Sequence, residues 1–370
     1  MSRSGSRLLK DASNFLLMVG VAVPPLVLVA RLRRYCQVGG EDRTNYGSSA
    51  FALVSSLATS PSSFLAPGAA SCELYLSHPV AFVNLLYFLV VDVGFYLVYV
   101  LQASTWLIDP HWQLIPVAIA AFWFTHPDSG GDRAVLSLGL VVLWAARLLH
   151  NYFRREGWHF GAREDWRYAS MRREHGRWWV VSQFFAVSAA QHGMLVGLTL
   201  PLQDAMSADA GGLRGWDAAA ASLCLAAIAF GAVADNQLRA YMLLGDGNNM
   251  GGGDGARGGG STGDGGGHQE KKAKKPLVLD TGLWRVCRHP NHLGEQAWWV
   301  GVFLLGAGAP QGRLWPACLG VLINHPLDTL VTLPLIEARM LARAERAGAY
   351  RAYQRRTSLL LPWPLPKKVD

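Results

Sequence analysis

The strongest constraint on the fold is an apolar run from Pro79 to Leu101, "PVAFVNLLYFLVVDVGFYLVYVL", in which Asp92 is the only charged residue. A helix rises about 1.5 Å per residue, so this run forms a helix about 35 Å long, which is enough to cross a bilayer. Trp178–Leu200 contains no Asp, Glu, Lys or Arg, and Ala218–Ala234 is rich in small residues that permit close helix packing. These runs predict membrane-spanning helices.

The composition indicates the same class. Of the 370 residues, 51% are hydrophobic and only 16% are charged, whereas soluble domains carry about 25% charged residues. The net charge of +8 comes from short basic runs between apolar segments, so it does not predict nucleic-acid binding. We therefore predict an all-α, multi-pass transmembrane helical bundle with about six to eight spans. The weaker candidate spans are Asn14–Ala30, Gln113–Thr125, Ala134–Leu149, Gln296–Gly308 and Leu314–Ile336.

The chain divides into four predicted regions. Residues 1–78 hold one membrane or targeting segment, and residues 79–244 hold membrane helices and a basic cytosolic loop. Residues 245–275, rich in glycine and lysine, have the composition of a disordered linker. Residues 276–370 form a C-terminal membrane region.

The basic residues predict which connections face the cytosol. His150–Arg177 and Glu270–His292 carry more basic than acidic residues, and the positive-inside rule places such connections on the cytosolic side. Arg31–Arg34 does not fit this rule if the first segment runs from the cytosol to the opposite side. The links with one Arg and no Lys, which are expected on that opposite side, are His126–Arg133, Pro201–Trp216 and Pro310–Arg313.

Cysteine and histidine spacings argue against a disulfide framework and against metal binding. The five cysteines are scattered, odd in number and without a CxxC spacing. The histidines of the charged loop and of the following span show no HxxxH or HxxEH spacing, so we predict no metal site. These histidines are His150, His159, His175 and His192.

A charged block, "LWRVCRHPNHLGEQAWW", stands at the entrance of an apolar segment. Pro290 suits the first turn of a helix, where its missing N–H costs nothing; Asn291 and Glu295 then lie on one helix face. The free N–H groups of a helix N-terminus, together with arginines, favour an anion such as phosphate. The alternative is that these arginines only mark the cytosolic membrane boundary. The basic residues expected at the anion site are Arg285, Arg288 and His289.

A second candidate site lies within the Pro79–Leu101 span. Asp92, Tyr96 and Tyr99 are spaced to share one helix face. An ionisable residue inside a membrane is a functional hypothesis by default, so we expect Asp92 and Tyr96 to be catalytic. The alternative is that Asp92 is a structural acid that is hydrogen-bonded to neighbouring helices.

The stretch Gly282–Gly301, "GLWRVCRHPNHLGEQAWWVG", resembles the C-terminal signature of the steroid 5α-reductase-like membrane proteins, including an uncharacterised plant-type subgroup. The resemblance extends upstream through Asn151–Arg172 and Ala234–Met242. It implies a reductase that uses NADPH to reduce a carbon–carbon double bond of a steroid or other lipid-like substrate. In that chemistry a hydride reaches an electron-poor alkene while an acid polarises the conjugated carbonyl.

The same resemblance implies site residues. Asn291 and Glu295 match the Asn and Glu of the family motif, Glu295 as a catalytic candidate, and Asp235 matches an acid near the cofactor. The block "REDWR" also fits a self-paired solvated loop. The further cofactor-binding candidates are Tyr152, Arg155, Arg163, Asp165, Arg167 and Arg239.

Two other functions remain open from the sequence. Membrane methyltransferases that use S-adenosylmethionine, of the isoprenylcysteine or phospholipid type, also carry an RHP block, but here Glu337 is followed by Ala338 rather than by a second Glu. A non-catalytic lipid-binding relative is the other alternative. Val286 and His292 stand where the reductase-like family usually has aromatic residues, and both would alter the nicotinamide pocket.

The partners expected from the sequence are a lipid-like small molecule and the bilayer itself. No nucleic acid and no protein partner is predicted. The expected location is the endoplasmic reticulum membrane, with a plastid membrane as the alternative.

Overall fold

The computed structural model describes residues 3–38, 48–59, 68–155, 158–161, 164–208, 212–246 and 275–361. Within these ranges every regular element is helical, and β-pairing is confined to isolated bridges. The predicted all-α class is therefore confirmed. The predicted linker 245–275 lies almost wholly outside the described residues.

Helices follow one another closely along the chain. Those of the first half are α1 (Arg3–Val38), α2 (Ala50–Thr59), α3 (Ala69–Ser77), α4 (Pro79–Tyr87), α5 (Val93–Gln102), α6 (Ile108–Thr125) and α7 (Gly131–Phe153). Those of the second half are α8 (Trp166–His175), α9 (Trp179–Gln183), α10 (Ala190–Thr199), α11 (Pro201–Met206), α12 (Gly215–Asp246), α13 (Leu283–Val286), α14 (Pro290–Ala307), α15 (Leu314–Leu327), α16 (Leu333–Leu341) and α17 (Ala344–Arg356). The wider π-helical turns are Phe88–Asp92, Phe184–Ala189 and Asp328–Thr332, and Gly176–Trp178 is a 3₁₀ turn.

Five helical stretches in the described ranges are long and apolar enough to cross a membrane, which makes this a multi-pass membrane protein. Each contains one of the predicted runs, but the number is lower than the six to eight expected. The difference has a local cause. The predicted spans in α6 and α14 begin with polar residues that lower their mean hydropathy, whereas the strongly apolar run Pro79–Leu101 is itself helical. The five stretches are Arg7–Cys36, Gly131–Phe153, Trp166–Met206, Gly215–Leu244 and Leu314–Leu341.

Two compact units make up the chain. The first comprises Met1–Cys224 and Trp299–Asn324, and the second comprises Leu225–Trp298 and His325–Asp370. The first unit holds the Asp92 candidate site, and the second holds the charged block that precedes α14.

Buried amide groups fix the start of α1 within the first unit. The Nδ2 of Asn14 donates to the carbonyl of Phe160 at 2.9 Å, and its Oδ1 accepts a hydrogen bond from Gln102 at 2.8 Å. Gln102 in turn accepts the indole N–H of Trp106 at 2.7 Å. Because an unpaired buried amide is costly, this chain of bonds ties α1 to α5 and to the loop before α8.

The links that were predicted to lie opposite the cytosol contact one another in the first unit. The N–H of Ala208 donates to the carbonyl of Asp128 at 2.8 Å. The backbone N–H and the guanidinium of Arg313 donate to the carboxylate of Asp204, at 2.9 and 3.0 Å. These bonds join the link His126–Arg133 to Pro201–Trp216, and Pro201–Trp216 to Pro310–Arg313. They therefore lie on one side, as their low content of basic residues predicts.

Cys36, near the end of α1, forms a disulfide with Cys72 in α3. The expectation from the cysteine pattern was wrong, because packing in the first unit brings together two cysteines 36 positions apart. The carbonyl of Tyr75, also in α3, accepts a hydrogen bond from His126 Nε2 at 3.1 Å, so the disulfide lies on the side of the weakly basic links. Disulfides persist in oxidising compartments. A disulfide at this place is compatible with the predicted position of the weakly basic links opposite the cytosol.

We predict that a maleimide–polyethylene glycol reagent labels three of the five cysteines in the denatured, unreduced protein and all five after reduction. A gel shift counts the adducts. The Cys36→Ser variant frees its partner and should be labelled to the same extent with and without reduction. Labelling of all five cysteines in the unreduced protein would contradict the disulfide.

Candidate functional site

The helix α14 begins at Pro290, as predicted, and the residues before it are held by the end of the chain. The backbone N–H of Arg288 donates to the carbonyl of Ser358 at 2.9 Å, and that of His289 to the carbonyl of Leu359 at 3.2 Å. The entrance of α14 is therefore a defined piece of backbone, and the side chains that it carries have fixed positions.

The carboxylate of Glu337, in α16, accepts hydrogen bonds from several side chains of the second unit. Its Oε1 lies 2.6 Å from Arg288 Nε and 3.2 Å from His289 Nε2, and its Oε2 accepts from Gln354 Nε2 at 2.8 Å. The hydroxyl of Tyr350 also donates to Oε1, at 3.4 Å. One largely covered carboxylate thus joins the entrance of α14 to α16 and α17.

Arg288 is fully engaged by this arrangement. Its side chain is 12% exposed, it forms the ion pair with Glu337, and its Nη1 donates to the carbonyls of Gln354 and Thr357. Breaking a buried ion pair by removing one partner is strongly destabilising. Arg288 therefore has a structural part in the second unit, and the phosphate contact expected of it stays a prediction.

A cavity of about 200 Å³ lies beside this network and wholly within the second unit. Burial raises the pKa of Tyr350 and of Tyr353, so both phenols stay protonated at neutral pH. A mainly apolar cavity with a few converging polar groups is typical of a small-molecule site. Its aromatic lining residues are Tyr241, Trp284, Tyr350 and Tyr353. Its polar lining residues are Arg288, His289, Asn291, His292 and Arg346.

Two polar groups on the cavity wall are available to a ligand. The Oδ1 of Asn291 is buried and has no hydrogen-bond partner among the described residues. The guanidinium of Arg346 has no ion pair within the same ranges. A buried acceptor without a donor costs free energy, so a ligand N–H that reached Asn291 would recover that cost.

His292 has an acidic partner within the second unit. Its Nδ1 lies 3.0 and 3.1 Å from the two carboxylate oxygens of Asp328, which also accepts from Gln296 at 2.9 Å. Asp328 begins the π turn Asp328–Thr332. This acid orients the imidazole of His292.

The remaining candidates of the second unit do not line this cavity. Arg239 and Arg285 are exposed, Asp235 is buried, and Glu295 is half-buried one turn beyond Asn291 on α14. The structure thus brings together Arg288, His289 and Asn291. The roles expected of the other four stay predictions.

In the first unit, Asp92 forms a pair with His192. Asp92 is fully buried at the end of the π turn Phe88–Asp92, and its Oδ2 lies 2.7 Å from His192 Nδ1. His192 follows the second π turn, Phe184–Ala189, and the two π turns pack against each other. The Asp92 Oδ1 and the His192 Nε2 are buried without hydrogen-bond partners in the described residues. Single π turns inside helices are frequent at functional sites.

Tyr96 lies one turn after Asp92, and its ring packs edge-on against Phe184 with centroids 5.6 Å apart. The partner of Asp92 is therefore a histidine on another helix, and the tyrosine expected beside it packs among aromatic rings.

The charged loop between α7 and α8 gathers other predicted residues. Arg155 lies 5.1 Å from the ring centroid of Tyr152. Asp165 accepts the backbone N–H of Arg167 at 2.8 Å and forms a salt bridge with its guanidinium at 2.8 Å, which caps α8. Asp165 and Arg167 thus form the self-paired arrangement that the sequence left open, and their contact with a cofactor stays a prediction. Arg163 lies outside the described residues.

Asp109, near the start of α6, is a titratable residue that the sequence analysis passed over. Burial raises its pKa to about 6, and the nearby Asp165 carboxylate acts in the same direction, while Arg155 and Arg167 oppose it. The sequence feature that could have identified Asp109 is an acid in the first turn of an apolar helix.

Other residues were missed for related reasons. His192 and Asp328 lie in apolar runs, where polar residues deserve a functional hypothesis. The partnership of Glu337 with Arg288 carried no local signal, because the residues lie 49 positions apart. Arg346 lies in a basic C-terminal helix, where nothing in the pattern distinguishes one arginine from the next.

The fold and these sites define an all-helical, multi-pass membrane protein with a polar and aromatic cavity in its second unit. The chain belongs to the family described as "Protein of unknown function (DUF1295)", whose profile matches residues 95–357. This family is related to the steroid 5-alpha-reductase-like proteins. The match begins just after Asp92.

A similar protein is "Uncharacterized protein C594.04c" of the fission yeast Schizosaccharomyces pombe. It is 27% identical over 277 residues, which cover 70% of this chain and 73% of that protein. No solved structure matches the chain.

The burial of His289 makes stability depend on pH. Burial lowers the pKa of His289 below its ordinary value, although the bond to Glu337 opposes the shift. The unfolded chain then takes up the proton at a higher pH than the folded one, so this contribution is present above about pH 6.5 and lost as the pH falls. The melting temperature should therefore fall from about pH 7.5 to about pH 5.5 by more in the native protein than in His289→Gln.

The control variant is His175→Gln, which changes an exposed histidine and should keep the native pH dependence. Equal pH dependence of the native protein and of His289→Gln would contradict the account of this residue.

Proposed function

We propose that this protein is a membrane reductase that uses NADPH to reduce a carbon–carbon double bond of a steroid or other lipid-like substrate. The observation that carries the proposal is the unpartnered Asn291 Oδ1 on the wall of an aromatic cavity in the second unit. The family's relation to steroid 5-alpha-reductase-like proteins supports the same chemistry.

The cavity fits the nicotinamide end of the cofactor. Its volume of about 200 Å³ is below the range of whole-ligand pockets, so it suits one ring with its substituent rather than a dinucleotide. Trp284 and Tyr241 offer aromatic surface to such a ring. The carboxamide of nicotinamide carries the N–H donors that the Asn291 Oδ1 lacks.

Arg346 is the residue that would hold a phosphate at this cavity, because its guanidinium has no ion pair in the described ranges. Arg288 would act indirectly, since its ion pair with Glu337 positions the entrance of α14 and with it Asn291. Bound here, NADPH would supply a hydride.

The first unit holds a candidate acid–base pair of its own. The Asp92 carboxylate accepts the hydrogen bond of His192 Nδ1 and orients the ring, which leaves Nε2 as the atom that would exchange a proton. In the reduction, one carbon of the alkene receives the hydride, the neighbouring carbon receives a proton, and the π bond between them is lost.

The proposed location is the endoplasmic reticulum membrane. The Cys36–Cys72 disulfide requires an oxidising compartment on one side, and the basic connections are expected on the cytosolic side. A plastid membrane is the alternative, and microscopy of the tagged full chain distinguishes the two.

We predict that NADPH raises the melting temperature of the purified, detergent-solubilised protein and that S-adenosylmethionine does not. Asn291→Ala should weaken NADPH binding about fivefold, as expected for the loss of one hydrogen bond. Arg346→Gln should weaken it by about tenfold or more, because a charge-assisted bond is lost.

The matched controls are Asn84→Ala, a half-buried asparagine in the first unit, and Arg351→Gln, an exposed arginine on α17. Both should bind NADPH as the native protein does. Stabilisation by S-adenosylmethionine alone would replace the proposal with methyl transfer, and stabilisation by neither would favour a non-catalytic lipid-binding protein.

A further prediction concerns Asp92 and His192. Asp92→Asn and His192→Gln should each lower the rate of lipid-dependent NADPH oxidation by about 100-fold or more, the usual loss when a general acid is removed. The double variant should fall no further, because the two residues act as one unit. NADPH binding should be unchanged.

The exposed Asp132 supplies the control variant Asp132→Asn, which should keep the native rate. If Asp92→Asn oxidises NADPH at the native rate with the same lipid extract, the proton does not come from this pair.

A further inference from the structure

A second cavity, of about 480 Å³, lies in the first unit between α1, α4 and α6. Helix α1 lines it from Pro25 to Arg34, a length of about 14 Å at helical rise. Arg33 and Arg34 stand in the last turns of α1, and the described lining contains no acidic residue. The apolar wall includes Leu26, Val83, Ala118 and Phe122. We call this cavity the lipid groove.

A proline pair stands at one end of the groove. Pro24 and Pro25 lie inside α1, and Pro25 lines the groove. The groove therefore runs along α1 from the proline pair to the arginine pair.

The charges of Arg33 and Arg34 are exposed at the end of the groove. Neither forms an ion pair with any residue in the described ranges. Arg31 is exposed as well but does not line the groove. Arg33 and Arg34 therefore line the groove without an acidic partner among the described residues.

The arginine pair lies on the side of the membrane where basic residues are rare. Cys36 follows Arg34 by two positions, and its disulfide to Cys72 places this end of α1 on the oxidising side. Arginines are under-represented on that side, and the surface potential of anionic lipids belongs to the cytosolic leaflet. An anion bound in the groove would neutralise the pair at this place.

We propose that the lipid groove binds one anionic phospholipid, with its phosphate on Arg33 and Arg34 and an acyl chain along the apolar wall. Arginine offers paired N–H donors that match the oxygens of a phosphate. The chain buries the apolar wall that Leu26, Val83 and Phe122 form. The site is independent of the proposed reduction, since it needs neither NADPH nor the Asp92–His192 pair.

The test is thermal unfolding of the delipidated full chain in neutral detergent micelles, titrated with phosphatidylglycerol or with phosphatidylcholine of the same acyl chains. We expect phosphatidylglycerol to raise the melting temperature and phosphatidylcholine to leave it nearly unchanged. The double variant Arg33→Gln/Arg34→Gln should need about tenfold more phosphatidylglycerol for half of the effect. The double variant Arg7→Gln/Arg31→Gln removes the same charge from the same helix outside the groove and should respond as the native chain does.

A separate variant tests the apolar wall. Ala118→Phe fills the groove while both arginines remain, and it should lose the response to phosphatidylglycerol. Soluble glycerol phosphate, which has no acyl chain, should not stabilise the native protein. Size-exclusion chromatography and the melting temperature without lipid check that each variant is folded.

Several results would overturn the proposal. Equal responses to the two lipids would mean that the arginines are only solvated at the interface. An equal loss in Arg7→Gln/Arg31→Gln would point to general surface charge, and a full effect of glycerol phosphate would rule out the groove as the binding element. A response that survives Ala118→Phe would do the same.

Discussion

The ion pair between Arg288 and Glu337 is the interaction on which the candidate cofactor cavity depends. The carboxylate gathers an arginine, a histidine, a glutamine and a tyrosine, and it thereby joins the entrance of α14 to α16 and α17. Because both charged side chains are nearly buried, removal of either leaves the other uncompensated. The pair explains how a membrane helix can begin with a cluster of charges and still leave Asn291 positioned on the cavity wall. The two arginines therefore differ in role. Arg288 supports the cavity wall, and Arg346 remains available to an anion.

Local properties of the chain were sufficient to predict much of the fold. The all-α class, the start of α14 at Pro290 and the contact of the weakly basic links with one another all follow from hydropathy, proline chemistry and charge within short segments. Pairings between residues far apart in the sequence could not be predicted. Glu337 with Arg288, His192 with Asp92 and Cys36 with Cys72 each join residues dozens of positions apart. The π turns were also missed, because they add one residue to a helical turn without a characteristic sequence.

The disulfide changes how the first helix is understood. From the sequence, Arg31–Arg34 conflicted with the positive-inside rule, and a cysteine framework seemed absent. The disulfide places the end of α1 on the side of the weakly basic links, and we propose that an anionic lipid neutralises two of these arginines there. In both units, then, arginines divide into those satisfied by the protein and those left for a ligand. Arg133 in the first unit forms an ion pair with Asp217 at 2.7 Å, as Arg288 does with Glu337 in the second unit.

The central claim is that hydride moves from NADPH to a carbon of a lipid. The most direct measurement incubates the protein and a total lipid extract with NADPH that carries deuterium at the transferred position, followed by mass spectrometry of the lipids. The account predicts a product that has gained one deuterium from the cofactor and one hydrogen from water across a former double bond. Lipids without deuterium, together with transfer of a labelled methyl group from S-adenosylmethionine in a parallel incubation, would contradict it.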